Sequence, residues 1–148
     1  MATLQCIKKL VDEFSSEYRH SNLPPIVESK IYSLDSSNEV KGAENFWPET
    51  WPNNDYKGVY AIFSHDEVLY IGKASLQILG YRLGSYFGYS DDRKSAVTKK
   101  GHYWSKPPTS IVTWAVPEKF FFEASALEEF LIFNLKNDLP DNRVGTNT

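Results

Sequence analysis

A single cysteine, Cys6, in 148 residues leaves no partner for an internal disulfide and no Cys-rich zinc site, so a reducing, cytoplasmic setting is expected. The three histidines, His20, His65 and His102, are too scattered to make a metal cluster. Long hydrophobic runs are missing as well. The opening MATLQCIKKLVDEF breaks every apolar stretch with charge, so neither a signal peptide nor a membrane span is expected. Internal repeats and low-complexity tracts are absent, and the length suits one core rather than two.

Overall positive charge is also lacking: the formal net charge is −3. That disfavours a nucleic-acid partner only if the charge is spread evenly, and it is not. Residues 1–56 hold five Lys/Arg against nine Asp/Glu, whereas residues 93–106, RKSAVTKKGHYWSK, hold five against none. Within that stretch Arg93, Lys94, Lys99, Lys100 and Lys106 are interleaved with His102, Tyr103 and Trp104. Cations for phosphates and aromatic faces for bases are what a nucleic-acid-contacting loop uses. A solvated loop whose aromatics pack back on the core has the same composition, and His102 taken alone reads first as a plain surface histidine, with assistance to catalysis or a phosphate contact as the alternative.

Apolar residues recur at helical spacing over Leu4, Ile7, Leu10, Val11, Phe14 and Tyr18, which predicts an amphipathic helix over 3–18. Pro24-Pro25 ends that pattern, and IVESKIYS (26–33) reads as an edge strand. The Trp- and Pro-rich stretch that follows reads as an irregular wrap, since Pro48 and Pro52 exclude a continuous helix or central strand. KGVYAIFS and VLYIGK, bracketing a turn at His65-Asp66-Glu67, predict an antiparallel hairpin. Ile111–Val116 predicts a third strand, closed by Pro117, and a helix is expected over 118–136.

Two helices read by angle, at about 100° per residue, single out one charged residue each. In the last helix, Leu127, Ala124, Leu135, Ile132 and Leu131 form one arc, and Glu128 falls inside it while Glu123 and Glu129 fall outside. A carboxylate on an apolar arc is costly unless it is paired or binds a cation. An ion pair with Arg82 and a metal site both satisfy that condition. In a helix expected over 76–87, Arg82 lies along the face of Ile78, Leu79, Leu83 and Tyr86. It is either a guanidinium snorkelling from the core rim or one aimed at an anion.

Tyr60 and Tyr70 sit in GVY and, nine residues on, YIGKAS; RLGSYF and EASALEEFLI follow. In this order and spacing, over Gly58 to Asn142, the chain resembles the GIY-YIG nuclease superfamily. Its wording is similar to that of the N-terminal nuclease module of UvrC-type excision-repair enzymes. The resemblance implies metal-dependent hydrolysis of a nucleic-acid phosphodiester, DNA favoured over RNA, with one Mg²⁺ or Mn²⁺ on Glu128. It also implies that Arg82 and Tyr86 steady the phosphate, that water is activated near Tyr60 and Lys73, and that Tyr70 bonds the water or a phosphate oxygen. A phenol with a pKa near 10 is a poor base at neutral pH; a neighbouring ammonium such as Lys73, or a metal-bound water, would favour the phenolate. Lys73 also reads as an exposed strand-end lysine. Gly58 and Gly72 are expected to keep the strand ends clear for a substrate backbone. The family closes on a proline, two residues and an asparagine; here Leu139-Pro140-Asp141-Asn142 is one residue short. Asn142 is the candidate equivalent, with Asn147 as the alternative, and an ordinary turn asparagine reads the same way.

The expected architecture is an α/β (α+β) domain with a small, mainly antiparallel three-stranded sheet flanked by helices. Residues 1–56 form a helix and wrap of that same domain, and 57–148 the core with a basic insertion at 88–110. Two other readings fit the fold: a non-catalytic nucleic-acid-binding module, and a protein-interaction domain of phage or host-defence type. Oligomeric state is not encoded legibly.

Overall fold

The structure, a computed structural model, describes residues 1–37 and 39–142. It is a mixed α/β fold with a six-stranded sheet and three α-helices, and among the described residues no helix is long and apolar enough to cross a membrane. The centre is the predicted hairpin. Strands β4 (Gly58–Ser64) and β5 (Glu67–Ala74) pair antiparallel, and β8 (Ser110–Ala115) pairs with the other side of β4. The turn falls at His65-Asp66, with His65 in the left-handed region at φ 53°.

Three further short strands enlarge the expected three-stranded sheet. The segment read as one edge strand divides into β1 (Val27–Glu28) and β2 (Tyr32–Ser33), both antiparallel to β8. Strand β3 (Asn45–Phe46) then adds parallel to β2, inside the stretch expected to be irregular. Tyr32 shows why β2 is internal: its ring is fully buried and its hydroxyl donates to the Glu49 carbonyl at 2.7 Å. The basic insertion is likewise not all loop, since β6 (Phe87–Tyr89) and β7 (Ala96–Thr98) form a separate small hairpin.

The first helix keeps nearly its expected span, in two forms, whereas the second and third are shorter than their apolar patterns. Helix α1 (Leu4–Glu13) widens into a π-helical turn over Phe14–Tyr18. Helix α2 (Leu79–Gly84) replaces the span expected from 76 to 87, and Ile78, placed on the buried face by angle, lies before it and is 37 % exposed. Helix α3 (Glu123–Leu135) is preceded and followed by single 3₁₀ turns.

Side chains alternate across a strand, so β4 serves two cores. Val59, Ala61 and Phe63 join Ile7, Val11, Leu127 and Leu131 under α1 and α3. Tyr60 and Ile62 join Leu79, Leu83, Tyr86 and Trp47 on the opposite face. On β5 the alternation slips. Ile62 opposes Tyr70 while Phe63 opposes Val68, so Leu69 is the extra residue of a β-bulge. Leu69 and Tyr70 consequently belong to the same core as Tyr60, and the bulge is what brings the second tyrosine toward the first.

Glu123, outside the apolar arc by angle, is buried nonetheless. Arg19, just beyond the π turn, grips it bidentately, Nε to Oε2 at 2.6 Å and Nη2 to Oε1 at 2.8 Å. A one-helix reading cannot see a partner 104 residues away.

Candidate active site

Gly72 lies opposite Tyr60 in the register, and a Cβ there would stand 2.4 Å from the Tyr60 Cζ and hydroxyl oxygen. The missing side chain therefore makes room for a ring of this protein, not for a substrate backbone. Gly58 corrects the same expectation, because its Cβ would collide with the Trp114 carbonyl of β8 at 2.0 Å.

Seated over Gly72, Tyr60 is wholly buried, and its hydroxyl meets that of Tyr86 at 2.6 Å. Arg82 Nη2 donates to both oxygens at 3.2 Å, while its guanidinium lies 5.7 Å from the Tyr86 ring centre. One hydroxyl proton is used between the two phenols and the other remains to be donated elsewhere. Tyr70 packs against both rings, with centroids 6.2 Å away in each case.

Burial, the largest influence, pushes the Tyr60 phenol well above its ordinary pKa, with Tyr86 and Tyr70 adding to it and Arg82 opposing. Burial raises Tyr70 too, again with help from Tyr86. Both phenols are therefore protonated donors at neutral pH in this arrangement. The expectation that Lys73 favours a phenolate is not met: its ammonium turns toward α3 and donates to Ser125 Oγ at 3.0 Å.

A cleft of about 440 Å³ opens beside this cluster along β5, between α2 and α3. Tyr70, Lys73, Arg82, Glu128 and Asn142 all line it. Tyr60 and Tyr86 stand behind Arg82 as support rather than on the wall. Ala74, Ser75, Leu76, Gln77 and Ile132 complete the lining; none was given a site role from the sequence, although Ala74 and Ser75 end the YIGKAS motif and Ile132 ends EASALEEFLI, while only adjacency to YIGKAS marks Leu76 and Gln77.

Glu128 is half-buried, and among the described residues it takes part in no ion pair, Arg82 being engaged with the tyrosines. Its carboxyl pKa is raised, chiefly by burial, with the charges of Lys73 and Arg82 pulling it back. A half-desolvated carboxylate on the wall of an open cleft suits a hard divalent cation. Mg²⁺ needs only one or two carboxylates when substrate phosphates and water supply the other oxygens. No cluster of three or more His, Cys, Asp or Glu is present among the described residues, so a multi-ligand cage is not what this cleft offers.

Asn142 clamps the outer edge of β5. Its Oδ1 accepts from the Ile71 amide and its Nδ2 donates to the Ile71 carbonyl, each at 2.8 Å. Asp141 adds a bond from its amide to the Leu69 carbonyl and accepts from the amide and hydroxyl of Ser105. Asn147, the alternative, lies outside the described residues.

The basic segment divides by role. Trp104 turns inward onto Tyr70 and Tyr86, with centroids at 6.1 and 5.8 Å, and His102 stacks on Tyr86 at 4.7 Å. These two roof the tyrosine cluster, whereas Tyr103 points outward and is 84 % exposed. Lys99 donates to the Gly84 carbonyl at 2.8 Å, Lys106 pairs with Glu67, and Arg93 lies over the Tyr89 ring. Lys94 and Lys100 are exposed. No family model, curated protein or solved structure matches the chain.

Proposed function

We propose that this chain is a divalent-metal-dependent endonuclease of the GIY-YIG type, hydrolysing phosphodiester bonds of nucleic acid, DNA in preference to RNA. One observation carries the reading. Arg82 from α2, Tyr70 and Lys73 from β5 and Glu128 from α3 all face one cleft, although 58 positions separate the first and last of them in sequence.

The roles follow from what each group can donate or accept. Arg82, aligned by Tyr60 and Tyr86, presents its fork to the scissile phosphate and stabilises the charge that builds there as water attacks. Tyr60 and Tyr86 are thus positioning residues. Tyr70, kept protonated, donates to the attacking water or a phosphate oxygen, and Lys73 neutralises charge from the same strand. Glu128 would hold Mg²⁺ or Mn²⁺. When bound, such an ion supplies Lewis acidity toward the phosphate and makes a nearby water more acidic at neutral pH.

The test is incubation of plasmid, single-stranded DNA and RNA with the protein, with and without Mg²⁺, beside the Glu128→Gln variant. Cleavage that needs both the ion and Glu128 supports the proposal. Binding without cleavage would make the chain a nucleic-acid-binding module, and neither would leave the interaction-domain reading.

A further inference from the structure

The two approaches to the cleft differ in chemistry. Beyond Tyr70 and Asn142 lies the roofing loop, tied down through Ser105 to Asp141 and leading from the exposed lysines Lys94 and Lys100. The opposite approach is made by the segment joining β5 to α2. Residues 74–81, ASLQILGY, contain no charged side chain. They nevertheless leave Leu76 at 84 %, Tyr81 at 66 % and Ile78 at 37 % exposed. Single exposed apolar residues are ordinary. Three within six positions, with no charge among them, are less so. Leu76 is moreover part of the cleft wall that carries Glu128 and Arg82.

A strand leaving over this approach meets nothing in residues 74–81 that can neutralise its phosphates. What it meets is apolar surface for bases. Apolar wedges, leucine and isoleucine among them, enter base steps and unstack them at a cost that weaker or already broken stacks do not incur. Resting on the nuclease reading above, we propose that Leu76 is a wedge residue, which enters the base step beside the scissile phosphate, with Ile78 and Tyr81 receiving the displaced base. The substrate class that follows is DNA with an unpaired or easily unstacked step at the cut. The polarity is fixed as well: paired DNA lies toward the basic loop, and the opened step toward α2.

Cut positions are first mapped on a labelled duplex, and the same duplex is then made with two mismatches at the cut. The wild type is expected to cut the mismatched form at least about tenfold faster in kcat/KM. Leu76→Ala is expected to lose about tenfold on the paired duplex and less than about twofold on the mismatched one, because there the wedge has no work left. Leu76→Phe should keep most of the paired-duplex activity. Equal losses on both substrates, or none on either, would overturn the wedge.

A second measurement does not depend on turnover. 2-Aminopurine is scanned through the duplex and its fluorescence followed on binding to the Glu128→Gln protein. A rise at one step that disappears in Glu128→Gln/Leu76→Ala supports the proposal. Cleavage by the wild type with no Leu76-dependent rise would sink the wedge and leave the nuclease standing. Neither cleavage nor binding would remove both.

Discussion

Replacing Arg82 by lysine separates a directed guanidinium from a mere positive charge. In the structure one terminal nitrogen serves two phenol oxygens at 3.2 Å each, and those oxygens bond each other at 2.6 Å. Lysine keeps the charge but is a compact ammonium without the planar fork. The phenol pair survives on its own bond, while one of the two oxygens loses its charged donor. Charge-assisted bonds contribute about 1.5–3 kcal/mol, and the half-buried position and partial replacement by the ammonium bring the expected loss to about 1–2 kcal/mol. For a chain of this size that is roughly 3–7 °C in Tm. Loss of a directed donor to the transition-state phosphate costs about 10²–10³ in turnover. The expected signature of Arg82→Lys is therefore a small thermal shift, nearly unchanged binding, and a fall in kcat of at least about 100-fold. Single-turnover cleavage at 20 °C, where both proteins are folded, beside fluorescence anisotropy without Mg²⁺, reads the two quantities separately. Equal losses in binding and turnover would reduce Arg82 to an electrostatic anchor, and a loss of kcat matched by unfolding would reduce it to a prop for the tyrosines.

Glu128→Gln should abolish ion-dependent cleavage yet match or exceed wild-type stability at pH 7. A carboxylate whose pKa is raised in the fold binds more protons there than when unfolded, so it weakens the fold as pH rises above about 4.5, and calorimetry across pH 4–8 should show the variant's advantage vanish on the acid side. Neutralising Lys94 and Lys100 together should flatten the slope of log affinity against log salt by up to about two for duplex DNA, whereas Lys106→Ala, already paired with Glu67, should change it far less. Gly72→Ala must displace the Tyr60 ring and should cost about 1–3 kcal/mol together with turnover. Gly84→Ala, whose Cβ would meet Trp51 only at 3.8 Å, serves as its folded control in the same melting and cleavage assays.

The hairpin, the third strand and the last helix are legible because their signals are local: β-branched and aromatic runs, a turn, a terminating proline. Glu128 is legible for a related reason, since one carboxylate on an apolar arc is a contradiction visible within a single helix. What stays hidden depends on partners distant in sequence. Glu123 looks solvated until Arg19 reaches it. Trp104 looks like a stacking platform until Tyr70 and Tyr86 are seen beneath it. The short strands β1, β2 and β3 carry two residues each, too few for any period to register. The bulge at Leu69 is hidden for another reason, because a slip in register shows only against the opposing strand.

The grip of Arg19 on Glu123 has a consequence for how the molecule can be divided. Glu123 opens the helix on whose second turn Glu128 stands, and it is Arg19 that takes up both its oxygens. Cut away the chain before Lys57 and a buried carboxylate is stranded at the root of that helix, while Leu127 and Leu131 lose Ile7 and Val11 from their core. The stretch carrying the motif residues therefore does not make a portable module. In any fusion, transplant or minimal version, the first nineteen residues travel with the cleft as its foundation, although none of them touches it.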